Sequence, residues 1–170
     1  MGAAGDYAKL QTIVAAYRQK LNGCSEQLFQ QSPPEGGWSF SEVYFHIFDA
    51  SILTLDTIGD CIDGKGEQHP TPLVSKLILF FNSLPPGRKY KAPRRLAERL
   101  TKISKAEAQD LIDLFSSKLE TVYKNLKSAD KNLKTPHPRL GYLNATQWFR
   151  FMEIHLNHHL KQVSRIEKSF

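Results

Sequence analysis

The 170-residue sequence predicts an all-α protein: a four-helix bundle with one additional short helix and a long crossover connection. Three observations predict this. Four long segments carry apolar residues at helical spacing, the stretches between them hold the Pro and Gly signals that end helices, and no segment shows strand alternation. At 41% hydrophobic and 24% charged residues the composition is ordinary for a globular chain, so residues 1–170 are expected to form one domain around one core.

The first helix is expected over residues 6–30, with Leu10, Ile13, Val14, Tyr17, Leu21, Cys24 and Leu28 as its apolar face. Ser32-Pro-Pro-Glu-Gly-Gly37 breaks it. The second is expected from Ser39 to Asp63, where Ser39 followed by Glu42 reads as a capping box. A shorter apolar helix over 73–84 is stopped by Pro85-Pro86-Gly87, and the basic stretch after it reads as irregular. Ser104 and Glu107 form another capping box and open a third long helix whose core face is Ala108, Leu111, Ile112, Phe115, Leu119, Val122 and Leu126. Thr135-Pro-His-Pro-Arg-Leu-Gly141 reads as a constrained loop before the last helix, which Asn144 caps. About 40 residues separate the second and third long helices, enough for a crossover.

Composition narrows the function. No apolar run approaches the ~20 residues of a membrane span, and the N-terminus has neither the basic nor the apolar region of a secretory signal, so a cytoplasmic protein without a membrane partner is expected. Cys24 and Cys61 stand 37 positions apart with no Cys-x-x-Cys pair, which gives two reduced thiols rather than a thiolate metal site. Charge is uneven: residues 1–64 hold eight acids against three cations, while Arg88, Lys89, Lys91, Arg94, Arg95, Arg99, Lys102 and Lys105 are interrupted only by Glu98. This stretch lacks interleaved aromatics apart from Tyr90 and any helix-turn-helix or zinc-finger spacing, so it reads as a solvated loop and nucleic acid is not the expected partner. The alternative is a non-enzymatic module that engages an anionic partner through residues 88–105.

The last helix carries the chemistry. His155, His158 and His159 put three of six histidines into five residues, and imidazole, with an ordinary pKa of about 6.5, is the commonest protein metal ligand. Residues four apart project from one helix face, so His155 and His159 can share one ion. On a wheel at about 100° per residue His159 falls within the apolar arc of Trp148, Phe149, Met152, Leu156, Leu160, Val163 and Ile166, His155 lies at its edge, and His158 joins the polar side. A metal site with three protein ligands keeps one position open. His69 lies in a Gly/Pro-rich loop, and His137 sits in a rigid turn where it can line a pocket or bond a backbone carbonyl. His46, with small Val43, Ala50 and Thr57 on its side of the second helix, is the best third ligand.

Trp38, His46, His137-Pro-Arg-Leu-Gly141, Trp148 and His155-x-x-His-His159-Leu-x-Gln162 together resemble the DinB-like (DinB/YfiT) superfamily, and most resemble a branch of it with unassigned function. The resemblance spans nearly the whole chain. It implies an up-down-down-up four-helix bundle, often a homodimer, that binds zinc, nickel or a similar divalent ion through three histidines; matched position by position these are His46, His155 and His159. The superfamily includes thiol-dependent transferases, an isomerase and hydrolases, so it implies a small-molecule substrate, a low-molecular-weight thiol among the candidates, without choosing the reaction. No residue stands out as a general base. Glu42, Asp49 and Gln162 are candidate acceptors for an imidazole N–H, and Trp38, His137 and Trp148 are candidate pocket walls.

Overall fold

Ser39, Ser104 and Asn144 each open a long helix as the capping boxes require. In the computed structural model, which describes residues 2–85 and 99–170, Ser39 Oγ accepts from the amide of Glu42 and the Glu42 carboxylate accepts from the amide of Ser39. Ser104 with Glu107, and Asn144 with Gln147, repeat the arrangement. Each cap contributes about 1 kcal/mol by satisfying amides that a helix start leaves without partners. The helices are α1 (Ala3–Gly23), α2 (Glu26–Gln30), α3 (Phe40–Ile62), α4 (Leu73–Phe81), α5 (Lys105–Asn125) and α6 (Ala145–Glu167).

Two boundaries differ from the sequence reading. The expected first helix is two helices: the chain turns extended at Cys24, and Ser25 starts α2 by accepting from the amide of Leu28 at 3.1 Å. The side-chain cap outcompetes continuation of α1. Likewise α4 ends at Phe81, before the prolines, because Asn82 adopts a left-handed φ of 52°, which Asn tolerates better than most residues.

Strands, not expected at all, are present in miniature. β1 (Glu67–Gln68), β2 (Leu133–His137) and β3 (Gly141–Leu143) form a three-stranded antiparallel sheet in that order, with Glu67 opposite Lys134 and Thr135 opposite Leu143. Each strand is too short for a two-residue alternation to register, and Pro136 and Pro138 read as loop. Gly141, at φ +69°, closes the hairpin; a Cβ there would lie 2.6 Å from Pro72 Cγ, so both the conformation and the close approach select glycine.

Side-chain contacts fix the direction of each long helix. On α1 and α6, Asp6 meets Arg150, Tyr17 meets Leu156 and Lys20 meets Glu167, so these two run parallel. On α3 and α5, Phe48 meets Phe115 and Asp56 meets Lys118, again parallel. Between α1 and α5 the order reverses, with Tyr7 on Tyr123 and Arg18 on Asp113. The bundle is therefore up-down-down-up. Because α3 and α5 run the same way, the chain between them must return along the bundle, which is the task of the long crossover.

One apolar core joins the four long helices. Its centre is Tyr17, Tyr44, Phe48, Phe115, Phe149, Ile47, Ile58 and Leu156, all fully buried. Burying each such side chain contributes about 1.5–3 kcal/mol. Where phenols enter this core their hydroxyls are satisfied: Tyr17 donates to the carbonyl of Leu156 and Tyr44 to that of Tyr17. Residues 86–98, which include Arg88, Lys89, Lys91, Arg94 and Arg95 of the basic stretch, lie outside the described residues. Its later cations are bound within the molecule: Arg99 to Asp49, Lys102 to the carbonyl of Gln30 and Lys105 to that of Cys24. Among the described residues no helix is long and apolar enough to cross a membrane.

Candidate metal centre

Because α3 and α6 pack antiparallel, an early residue of α3 meets a late residue of α6. His46, two turns into α3, thus lies against His155 and His159, with ring centres 5.7 and 4.9 Å away. One potential ligand atom from each of the three rings falls within a sphere of mutual distances no greater than 4.8 Å. The Nε2 atoms of His155 and His159 are 3.1 Å apart, whereas two imidazole nitrogens on one tetrahedral zinc stand about 3.3 Å apart. The residues fit an ion.

Protonation favours the same use. Burial pushes His46, His155 and His159 below the ordinary imidazole value; in His155 and His159 neighbouring rings add to this, and His159 reaches about 3. All three are consequently neutral at pH 7, the form that offers a lone pair. Gln162 Oε1 lies 2.8 Å from His159 Nδ1. An amide oxygen can only accept, so the proton of that ring sits on Nδ1 and the lone pair of Nε2 faces His155. Two lone pairs at 3.1 Å repel unless a proton or a cation lies between them.

The surroundings of the cluster are aromatic. Trp38 stacks nearly parallel to His159 at 6.5 Å and stands edge-on to His46 at 5.0 Å. It reaches this place through the turn at Gly36-Gly37, where Gly37 has φ 102°, a conformation that a side chain disfavours. Phe151, one turn before His155, stacks on that ring at 5.8 Å. The sequence reading overlooked Phe151, although its i, i+4 spacing to His155 would have found it.

His158 and His69 lie outside the cluster; His69 stacks on Tyr142 at 4.0 Å. For His137, expected to line a pocket or to bond a backbone carbonyl, the carbonyl bond is replaced by one in the opposite sense. Its Nδ1 accepts from the amides of Arg139 and Leu140 at 3.1 and 3.0 Å, holding the hairpin turn, and its ring packs on Trp148 and Phe151. Trp148 is an anchor as well, donating to Thr135 Oγ1 at 2.8 Å, and Cys61 Sγ lies 3.4 Å from that same oxygen. Of the three candidate acceptors, Glu42 is engaged in its capping box and Asp49 pairs with Arg99; Gln162 is the one that meets an imidazole.

The rest of the chain bears the same relation to known proteins that the cluster suggests. A sequence model of the DinB superfamily matches residues 10–163. The chain belongs to the DinB superfamily. It is 25% identical over 153 residues to the uncharacterised protein YuaE of Bacillus subtilis (strain 168), a match that covers 88% of this chain and 89% of YuaE. Among solved structures, YfiT from Bacillus subtilis, titled a probable metal-dependent hydrolase with an unusual four-helix bundle topology, superposes with a TM-score of 0.68 at 15% identity, over 98% of this chain and 86% of that one. The four-helix bundle protein TT2238 gives 0.61 at 18% identity, over 96% and 98%. At these identities the two likenesses establish the four-helix-bundle fold. Its function must be read from the site.

Proposed function

We propose that this DinB-superfamily protein is a metal-dependent enzyme that holds one divalent transition ion, zinc or nickel foremost, on His46, His155 and His159, and that it is a hydrolase of a small-molecule substrate. The observation that carries the reading is the convergence of three neutral imidazoles, two buried and one half-buried, from two helices on one point, with Gln162 fixing the tautomer of one. An ion bound there supplies a Lewis acid with full charge, because no ligand is anionic, and an open position at which oxygen or sulfur is activated. The description of YfiT as a probable metal-dependent hydrolase supports the choice of hydrolysis.

The protein's own groups have definable tasks. Burial keeps protons off the ligand nitrogens, and Gln162 holds the one proton of His159 on the nitrogen away from the site. Trp38 and Phe151 present flat apolar faces that exclude water from two sides and can receive an apolar portion of the substrate. A thiol-dependent transferase would use the same site, but neither Cys24 nor Cys61 belongs to the cluster, so its thiol would have to arrive with a low-molecular-weight co-substrate.

The test begins with tag-free protein repleted with zinc, nickel, iron, manganese or copper in turn. About one equivalent of one ion, lost in His155→Ala, is expected; less than about half an equivalent of every ion, unchanged by that substitution, would remove the metal reading. Loaded protein is then assayed on ester and amide substrates and on electrophiles with and without an added thiol, with His159→Ala as control. Turnover without thiol identifies the hydrolase, and turnover only with thiol the transferase. A salt-dependent affinity for nucleic acid in metal-free protein would favour the non-enzymatic module instead.

A further inference from the structure

His137 keeps an unused hydrogen-bond donor close to the histidine cluster. Backbone amides only donate, so the Nδ1 atom that meets the amides of Arg139 and Leu140 at 3.1 and 3.0 Å carries a lone pair. A neutral imidazole has one ring proton, which therefore sits on Nε2. The two nitrogens of the ring face away from each other, so this N–H is directed out of the hairpin turn that Nδ1 holds. Holding the turn requires only the acceptor, which an Asn or Asp side chain also supplies. The second nitrogen is what histidine adds.

Nothing around that nitrogen accepts its proton. The ring packs on Trp148 and on Phe151, with centres 4.8 Å away in each case. Phe151 has no polar side-chain atom, and Trp148 Nε1 is itself a donor, committed to Thr135 Oγ1 at 2.8 Å. Among the described residues the ring bonds only the two amides of the turn. The side-chain atoms that are sealed from water without a partner are Ser51 Oγ and Asn82 Oδ1. His137 Nε2 is not one of them, so its proton is open to solvent and to a ligand.

Phe151 connects this donor to the cluster. It stands edge-on to His137 and stacks on His155 at 5.8 Å, so one aromatic ring separates the donor from a ligand histidine. After burial and the rings of His159 and His46, His137 is among the groups that hold the His155 imidazole below its ordinary value, which places the two rings within electrostatic reach. Arg139, which after burial holds His137 itself down, brings positive charge to the same place and favours an anionic oxygen there.

We propose that His137 Nε2–H binds a carboxylate or carbonyl oxygen of the substrate, carboxylate preferred, while another group of that molecule occupies the open position of the ion and an apolar stretch between them lies along Phe151. The substrate class is then a short two-ended molecule. This rests on the metal reading above and adds to it the chemistry of the far end.

The probes are hydroxamic acids, which bind a metal through two oxygens, on alkyl chains of about two to six methylenes that end in a methyl, a carboxamide or a carboxylate group. Calorimetry with the zinc-loaded full chain should show, at one chain length, the carboxylate binding at least about ten-fold more tightly than the methyl, with the carboxamide between them. His137→Asn keeps an acceptor for the turn and lacks the second nitrogen, so its zinc content and its Tm at pH 7 should match the parent while the gain disappears. His137→Gln, whose longer side chain again offers an N–H, should keep part of the gain. Nitrogen-15 NMR of the parent, without metal or substitution, should show His137 protonated on Nε2 at pH 7. A proton on Nδ1 overturns the proposal, as does a gain that appears at no chain length or that survives in His137→Asn. Methyl-ended hydroxamates that bind no better with zinc than without it would refute the metal reading, and the proposal with it.

Discussion

Gln162 Oε1 accepts the Nδ1 proton of His159 at 2.8 Å. That single bond directs the unprotonated nitrogen of a ligand histidine toward the point where His46 and His155 converge. Replacing Gln162 by Ala frees the ring to rotate and to change tautomer, and is expected to weaken metal binding about 10–100-fold. Gln162→Glu, whose carboxylate still accepts, should retain affinity. Competition against a fluorescent chelator measures both, and an unchanged constant for the alanine variant would show that His159 is oriented by packing alone.

Metal loading should also stabilise the fold, since His46 lies on α3 and His155 and His159 lie on α6. An ion at a hundred times its dissociation constant adds about 2.7 kcal/mol. For a chain of this size that corresponds to roughly 5–10 °C in Tm. His46→Ala and His155→Ala should each abolish the increment in scanning calorimetry. A rise in Tm that survives either substitution would place the ion elsewhere.

The wheel that selected His155 and His159 worked because α6 is one uninterrupted amphipathic helix, and His46 could be added because bundles build sites from facing helices. Two capping boxes and the Asn144 cap were legible for a related reason: each is a local contract between residues three apart. What escaped depends on distant neighbours. Glu153 is buried and accepts from Asn82 Nδ2 at 2.7 Å, because α4 covers that side of α6. The small sheet escaped because its strands pair across the chain, Glu67 with Lys134, and their short sequences carry no alternation. His137, expected in a turn, is the last residue of β2, and nothing local shows that its ring accepts from two amides of the hairpin turn.

His137 makes stability depend on pH. Burial, with Arg139 adding to it, lowers this imidazole to about 4, and protonation of Nδ1 would break both of its bonds to backbone amides. The unfolded chain, with an ordinary value near 6.5, therefore binds the proton more readily. Its contribution is full above about pH 6.5 and is lost as pH falls toward 4, at most roughly 3 kcal/mol. Asn in its place offers an acceptor oxygen that does not titrate in this range. Urea unfolding at pH 7, 6 and 5 should show His137→Asn losing about 1–2 kcal/mol less than the parent across that range, and parallel losses would assign the acid sensitivity to other groups.

A buried ion pair braces the opposite end of α6. Arg150 Nη1 lies 3.0 Å from Asp6 Oδ1 while its Nε donates to the carbonyl of Leu79, so one guanidinium ties α1, α4 and α6 together. Both side chains are largely shielded from water, so truncating one leaves an uncompensated charge. Asp6→Ala is expected to cost about 3–5 kcal/mol, whereas Asp6→Ala/Arg150→Met, which removes both charges and keeps apolar volume, should recover part of that loss. Urea denaturation with an unchanged m-value distinguishes this from a change in the unfolded state. A double variant weaker than Asp6→Ala alone would mean that the bond from Arg150 to Leu79, and not the charge on Asp6, holds α4 against the bundle.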